Sequence, residues 1–243
     1  SFTVDFTDLA GNIGAQVIQT TDGTSVSVDT IAPRAPGSLR IQGGLMINAV
    51  TQSDVFFEAT APEAGAIRYT LTDVRGNMVT GNQAVLNGAF IVRGIDTAGQ
   101  PVLNDGKLTL TVTLIDPAGN VSPPIRAAVQ KDSVLSPPTG LALNKNNTVN
   151  IASSTSSQLF LVSGERGSLS YRISAPGGQF ITGSAQLGGV SGQRMIIPRL
   201  NLSSLPDGLV TVSTTFTDPA LNILQLPAFT VTKDTTIRLN TVS

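Results

Sequence analysis

The stretch that decides the fold is DGKLTLTVTLIDPAGN, Asp105–Asn120, which returns as DGLVTVSTTFTDPALN at Asp207–Asn222. After each Asp-Gly, apolar and polar residues alternate, with Thr at many of the polar places. A strand buried on one face needs that pattern. An acidic pentapeptide closes each stretch, and a third copy, DLAGN, stands at Asp8–Asn12.

The two stretches lie 102 residues apart, and so do Tyr69 and Tyr171, Thr80-Gly81 and Thr182-Gly183, and Lys131-Asp132 and Lys233-Asp234. Landmarks held in one register across a whole unit mark an internal repeat. Two full units follow, 34–133 and 134–235. Residues 1–33 read as the C-terminal part of a preceding unit, because DLAGN leads to VDTIAP at Val28–Pro33 as DPAGN leads to QKDSVLSP at Gln130–Pro137. Residues 236–243 read as a linker or the first strand of a following unit. The chain is therefore expected to be an excerpt from a longer tandem array.

Other segments are short and β-branched or aromatic: VFFEAT at 55–60, AIRYTLT at 66–72, LFLVS at 159–163 and LSYRIS at 169–174. Gly and Pro separate them, and no segment carries a helical period. Short strands with frequent turns, in units of about a hundred residues, predict an all-β chain of tandem antiparallel β-sandwiches. Units of that size can bury a core of their own. Tyr69 and Tyr171 are expected inside their sandwiches, and of the adjacent Phe56 and Phe57 one should point in and the other out.

Composition narrows the function. Charged residues are 13% of the chain and the net charge is −1, which provides no basic field for nucleic acid and no polybasic stripe for lipid. There is no Cys and no His, so disulfides, thiolate metal sites and Ser-His-Asp chemistry are excluded. No paired carboxylates suggest a cleft, and the chain is not expected to be an enzyme. It contains no apolar run long enough to span a bilayer, so no membrane insertion is expected. The opening SFTVDFTDLAGN lacks the charged start and apolar run of a signal peptide, and any export address is expected elsewhere.

Two readings stand for the pentapeptide. In the first it is a turn: Asp accepts backbone N–H bonds from residues just ahead, Pro presets φ, and Gly-Asn tolerates positive φ. Leu221 replaces the Gly119 of the other copy, so a different local turn is expected there. In the second reading the motif holds a metal. Asp105, Asp132 and Asp218 are expected near the junction of the two full units, and Asp29 with Asp116 near the earlier one. Carboxylates gathered in that way suit calcium. The turn reading leads, and no cofactor is firmly implied.

PDGLVTVSTTFTDPALN…FTVTKDTT and NDGKLTLTVTLIDPAGNVS…VQKDS resemble the bacterial immunoglobulin-like (Big-type) tandem repeats of very large cell-surface adhesins, and SVSVDTIAPRAP at Ser25–Pro36 matches the end of that pattern closely. The aromatic residue usual after Asp-Gly is replaced by Lys107-Leu108 and Leu209-Val210. The resemblance implies Ig-like sandwiches, an extracellular place on a bacterial surface, and calcium at some domain junctions through the linker Asp. It implies an extended stalk serving cell adhesion or biofilm, whose partners are neighbouring repeats of the same chain. Two alternatives stay open. One is a subunit of a self-assembling filament or surface layer, joined through uncharged edge strands. The other is a module that binds carbohydrate or a host protein.

Overall fold

The computed structural model describes residues 3–20, 23–24, 27–188 and 190–237. The alternation in the sequence becomes burial: along β6 (Gly106–Ile115), Leu108, Leu110, Val112 and Leu114 are buried while the threonines between them take the other face. Its repeat β14 (Gly208–Thr217) buries Val210, Val212, Thr214 and Phe216 in the same positions.

The first unit is built from β1 (Gly37–Ile41), β2 (Val55–Ala61), β3 (Gly65–Thr72), β4 (Met78–Val85), β5 (Gly88–Ile95), β6 and β7 (Ile125–Lys131). They form two sheets, β1-β2-β5 and β4-β3-β6-β7, with all neighbouring strands antiparallel. The second unit repeats the plan with β8 (Thr139–Leu143), β9 (Thr148–Val149), β10 (Ser157–Val162), β11 (Gly167–Ser174), β12 (Phe180–Leu187), β13 (Arg194–Leu200), β14, β15 (Ile223–Gln225) and β16 (Phe229–Lys233). Its sheets run β8-β10-β13 and β12-β11-β14-β16-β9, with β15 also on β14. Among the described residues the one helical element is a 3-10 turn, Gln42–Gly44. The fold is all-β, two Ig-like sandwiches in tandem.

Each unit has its own core. One buried cluster runs from Ile41 to Val129 around Phe57, and the other from Leu143 to Val231 around Phe216. Phe57 points inward and is wholly buried, whereas Phe56 points outward beneath Arg93. Tyr69 and Tyr171 pack against the cores, as expected, and occupy equivalent places. Each lies opposite a glycine on the neighbouring edge strand, Gly81 and Gly183. A Cβ on those glycines would fall 2.3 Å and 2.1 Å from the phenol oxygens, so the bare backbone is what gives the ring its room.

The step of 102 is not uniform inside the unit. Val55 pairs with Ile95 and Ser157 with Leu200, so β13 is displaced by 105 residues from β5. The link entering β13 is longer than its counterpart and the link leaving it is shorter, and the register returns to 102 at Asp105 and Asp207. The N-terminal hairpin of the described residues, bridged at Val4–Val17 and Thr7–Ile13, keeps the geometry of a last strand pair. Of the closing segment 236–243, residues 238–243 lie outside the described residues.

Candidate functional site: the turns and acidic groups at the junctions

The pentapeptide is a turn in every copy. At Asp116–Asn120 the Asp116 N–H donates to the Asn120 carbonyl at 3.1 Å and the Gly119 N–H to the Asp116 carbonyl at 3.1 Å. Asp116 Oδ1 accepts the Asn120 N–H at 2.8 Å, and Oδ2 accepts Asn120 Nδ2 at 2.8 Å. Those bonds, the Asn120 side chain foremost, hold the Asp116 carboxyl below the usual range. Asp8–Asn12 closes in the same way.

A further copy was hidden. DVRGN at Asp73–Asn77, between β3 and β4, makes the same bonds, and Asn104 adds two more to Asp73 Oδ2. In the second unit Ala175–Gln179 keeps the backbone turn without the carboxylate. The signal was present in the sequence as Asp-x-x-Gly-Asn, masked because its middle residues differ from those of the other copies.

At Leu221 the expectation of a different turn fails. Leu221 takes φ +68° where Gly119 has +95°, and the bonds of the ring are all retained. The Asp-to-Asn ring and its contacts beyond the turn outweigh the cost of a left-handed leucine. Because the Leu221 side chain is exposed, little packing offsets that cost. Leu221→Gly is expected to raise the stability of the second unit by about 1 kcal/mol, read as a higher denaturant midpoint with unchanged slope.

The same asparagines fasten one unit to the next. Asn120 Nδ2 donates to the Asp29 carbonyl at 3.1 Å, and Asn222 Nδ2 donates to the Asp132 carbonyl at 2.8 Å. At the second junction Asn222 Oδ1 also accepts the Ala49 N–H at 2.8 Å, and Asn48 Nδ2 reaches the Ala220 carbonyl at 2.9 Å. Asn222 is nearly fully buried there. The turn therefore also serves as the bolt of the junction, which the sequence reading, weighing turn against metal, did not include.

The carboxylates gather only in part as expected. Asp132 and Asp218 come together, with ligand oxygens within 4.8 Å of one another, and the third member is Glu165. Asp105 instead accepts the Ser133 N–H and Oγ–H, at 2.9 Å and 2.8 Å, and lies 3.5 Å from Lys131 Nζ. Asp29 and Asp116 are not gathered into such a set among the described residues. Glu165 had a legible signal: Glu63 stands 102 residues before it, also two residues ahead of a strand-opening glycine. Glu63 lines a groove with Asp29 at the first junction.

Burial, and then the charge of Asp218, pushes the Asp132 carboxyl up; burial likewise raises Glu165, with Asp218 and Asp132 adding to it. The N–H of Ser136 donates to Glu165. Three carboxylates that repel one another, with oxygen lone pairs to spare and neither His nor Cys nearby, form a donor set that fits a hard cation such as calcium.

Lys131 and Lys233 end β7 and β16 and are both buried. Lys233 Nζ sits 2.7 Å from Asp207 Oδ1, while Lys131 Nζ donates to the Leu103 carbonyl at 2.7 Å. Asp207 also accepts from Thr235 and Thr236, so it pins the linker that follows, as Asp105 does through Ser133.

No protein-family description and no curated protein matches the chain. Among solved structures it is similar to a tetra-tandem repeat in the extending region of a large adhesion protein, with 20% identity and a TM-score of 0.38 over 96% of this chain and 66% of that one. A calcium-stabilised adhesin with which an Antarctic bacterium reaches out and binds ice gives 19% identity and a TM-score of 0.43, covering 96% of this chain and 56% of the other. A 1.5-MDa bacterial ice-binding adhesin, from work on its retention at the host cell surface, gives 17% and 0.43 over 84% and 67%. The chain thus spans less than two thirds of the first two neighbours. The first of these is a tandem-repeat region and the other two are bacterial adhesins, and at these TM-scores the likeness carries no argument about what this chain does.

Proposed function

We propose that the chain is a stalk segment of a large bacterial surface protein, extracellular and non-enzymatic, whose sandwiches are locked end to end to extend the molecule for cell adhesion or biofilm formation. The division into units at 34–133 and 134–235, with 1–33 belonging to a preceding repeat and 236–243 to a linker or following one, goes with that reading. The observation that carries it is the repeated bolt: at both junctions the turn asparagine bonds the carbonyl of the linker aspartate. A hinge meant to swing freely would not place at its pivot a buried asparagine whose side chain alone makes three hydrogen bonds.

Calcium is the second half of the proposal. Asp132, Asp218 and Glu165 would hold it at the second junction, and Asp29, Asp116 and Glu63 are the corresponding residues at the first. Asp105 acts beside this set as a brace on Ser133. A bound cation would screen the three carboxylates and stiffen the linker. With calcium at about a hundred times its dissociation constant, linkage adds about 2.7 kcal/mol, which is roughly ten degrees or more in melting temperature for a domain of this size. Chelation should remove that gain, and Glu165→Gln should abolish most of it. Equal melting curves with calcium and with chelator would sink the calcium reading. Small-angle scattering tests the stalk itself: an elongated monomer at all concentrations is expected, whereas particles that grow with concentration would favour the filament.

A further inference from the structure

The outer face of the sheet β8-β10-β13 differs in kind from its counterpart in the first unit. In the first unit that face carries Ser38 and Arg40 on β1, Glu58 and Thr60 on β2, and Ala89 and Ile91 on β5; Arg40 and Glu58 approach to 4.0 Å as an ion pair. The pairing registers place Gly140, Ala142, Phe160, Val162, Arg194 and Ile196 at those six positions in the second unit. In the middle of the face three polar residues, Arg40, Glu58 and Thr60, have become Ala142, Phe160 and Val162, while farther along Phe56 and Arg93 have become Gln158 and Pro198; the paired arginine has been replaced by one elsewhere.

The change leaves a groove of about 420 Å³ lined by Gly140, Phe160, Val162, Arg194 and Ile196. Gly140 opens its floor: a Cβ there would lie 3.6 Å from Val162 Cγ2. Ile196 is half exposed beside Phe160, its cross-strand partner. The Arg194 side chain makes no hydrogen bond or ion pair among the described residues. An unpaired guanidinium beside an apolar strip is complementary to a carboxylate next to an apolar side chain.

The strand that carries both groups is an edge. Among the described residues β13 pairs only with β10, so the outward backbone groups of Arg194–Ile197 are open to another strand, until Pro198 withdraws its donor. Arg194 and Ile196 are two residues apart and share one face, and an added strand presents its own side chains with the same period of two. We infer that this groove and edge bind an extended polypeptide segment of a partner protein in which an acidic and an apolar residue stand two positions apart, so that both fall on one face, the acid against Arg194 and the apolar side chain against Ile196 and Phe160. This goes beyond the stalk reading and is independent of the calcium site.

The test uses the whole chain and fluorescence anisotropy of short labelled peptides, one repeating Glu-Thr-Val-Thr, which sets glutamate and valine on one face, the other Lys-Thr-Val-Thr. Saturable binding of the glutamate peptide is expected, with the lysine peptide roughly tenfold weaker or worse. Arg194→Ala should bring the glutamate peptide down by roughly tenfold, and Ala142→Arg/Phe160→Glu/Val162→Thr should abolish its binding. All four substitutions install the residue that the first unit already holds at the same place in the same fold, and unchanged melting curves will confirm that the variants are folded. Equal binding of both peptides, or of the glutamate peptide to the triple variant, overturns the proposal. So does a wild-type dimer, seen by sedimentation, that the triple variant loses, since the occupant is then a second copy. Displacement of an apolar anionic dye by dodecanoate but by neither peptide overturns it as well, in favour of an acyl chain.

Discussion

Asp207→Ala is expected to lower the melting temperature of the second sandwich by roughly 15 °C, and Asp105→Ala to move the first by much less. The difference lies in what each lysine has left. Lys233 is buried with Nζ 2.7 Å from the Asp207 carboxylate, the one hydrogen bond of its side chain among the described residues. Taking the carboxylate away strands a charge inside the protein, at a cost to Lys233 on the order of 3 kcal/mol, and each kcal/mol is worth roughly 4–8 °C in a domain of this size. Lys131 keeps its 2.7 Å bond to the Leu103 carbonyl and stands 3.5 Å from Asp105, so its ammonium stays solvated by the backbone. Adding Lys233→Met to Asp207→Ala should restore most of the loss, because an apolar side chain of similar length then fills the site. Calorimetry of the whole chain, with one transition per sandwich, reads both effects. The pH dependence checks the same pair. Lys233 and then the Thr235 N–H hold the Asp207 carboxyl well below the usual range. A lowered folded pKa gives stability that is present above the unfolded value, about 3.9, and is lost as pH falls below it. The wild type should lose this contribution below about pH 4, and Asp207→Ala has none there to lose.

Asn222→Ala is expected to cost on the order of 3 kcal/mol and to uncouple the two units. Its side chain satisfies Asp218 Oδ2, the Asp132 carbonyl and the Ala49 N–H, at 2.7, 2.8 and 2.8 Å, all at a nearly dry site. Alanine leaves each of those groups without its partner. Asn120→Ala removes the same ring in the first unit, where the junction contact to Asp29 is exposed and 3.1 Å long, and should cost less. Loss of the bolt should show in scattering as a broader spread of end-to-end distances at unchanged secondary structure. A variant as stiff as wild type would mean that the linker alone sets the angle between units.

The fold was legible because it follows from a period of two within strands and a period of 102 between units, both written in side-chain polarity. The displacement of β13 was not legible, because the longer link before it and the shorter one after it cancel in the spacing of the landmarks. Asp132 and Asp218, read from their places after strand ends, lie near each other. For Asp105 the sequence shows that a carboxylate lies near a junction but not that Ser133 and Lys131 bond it there. Glu165 lies in a loop with no apolar pattern to call attention to it, and only its match with Glu63 at the repeat step would have flagged it. At Leu221 the local rule for positive φ lost to the hydrogen-bonded ring around it, a tertiary effect no propensity records.

The cancelling link lengths around β13 also bear on how such a chain grows and shrinks over generations. What each copy must keep in phase is the pair at its ends, the turn that bolts and the linker that is bolted, whereas the loops midway are free to differ. A crossover between misaligned copies in the gene, at any equivalent point, returns a hybrid whose two ends still fit its neighbours. Copy number, and with it reach, can then change in one genetic event without any junction having to be reinvented.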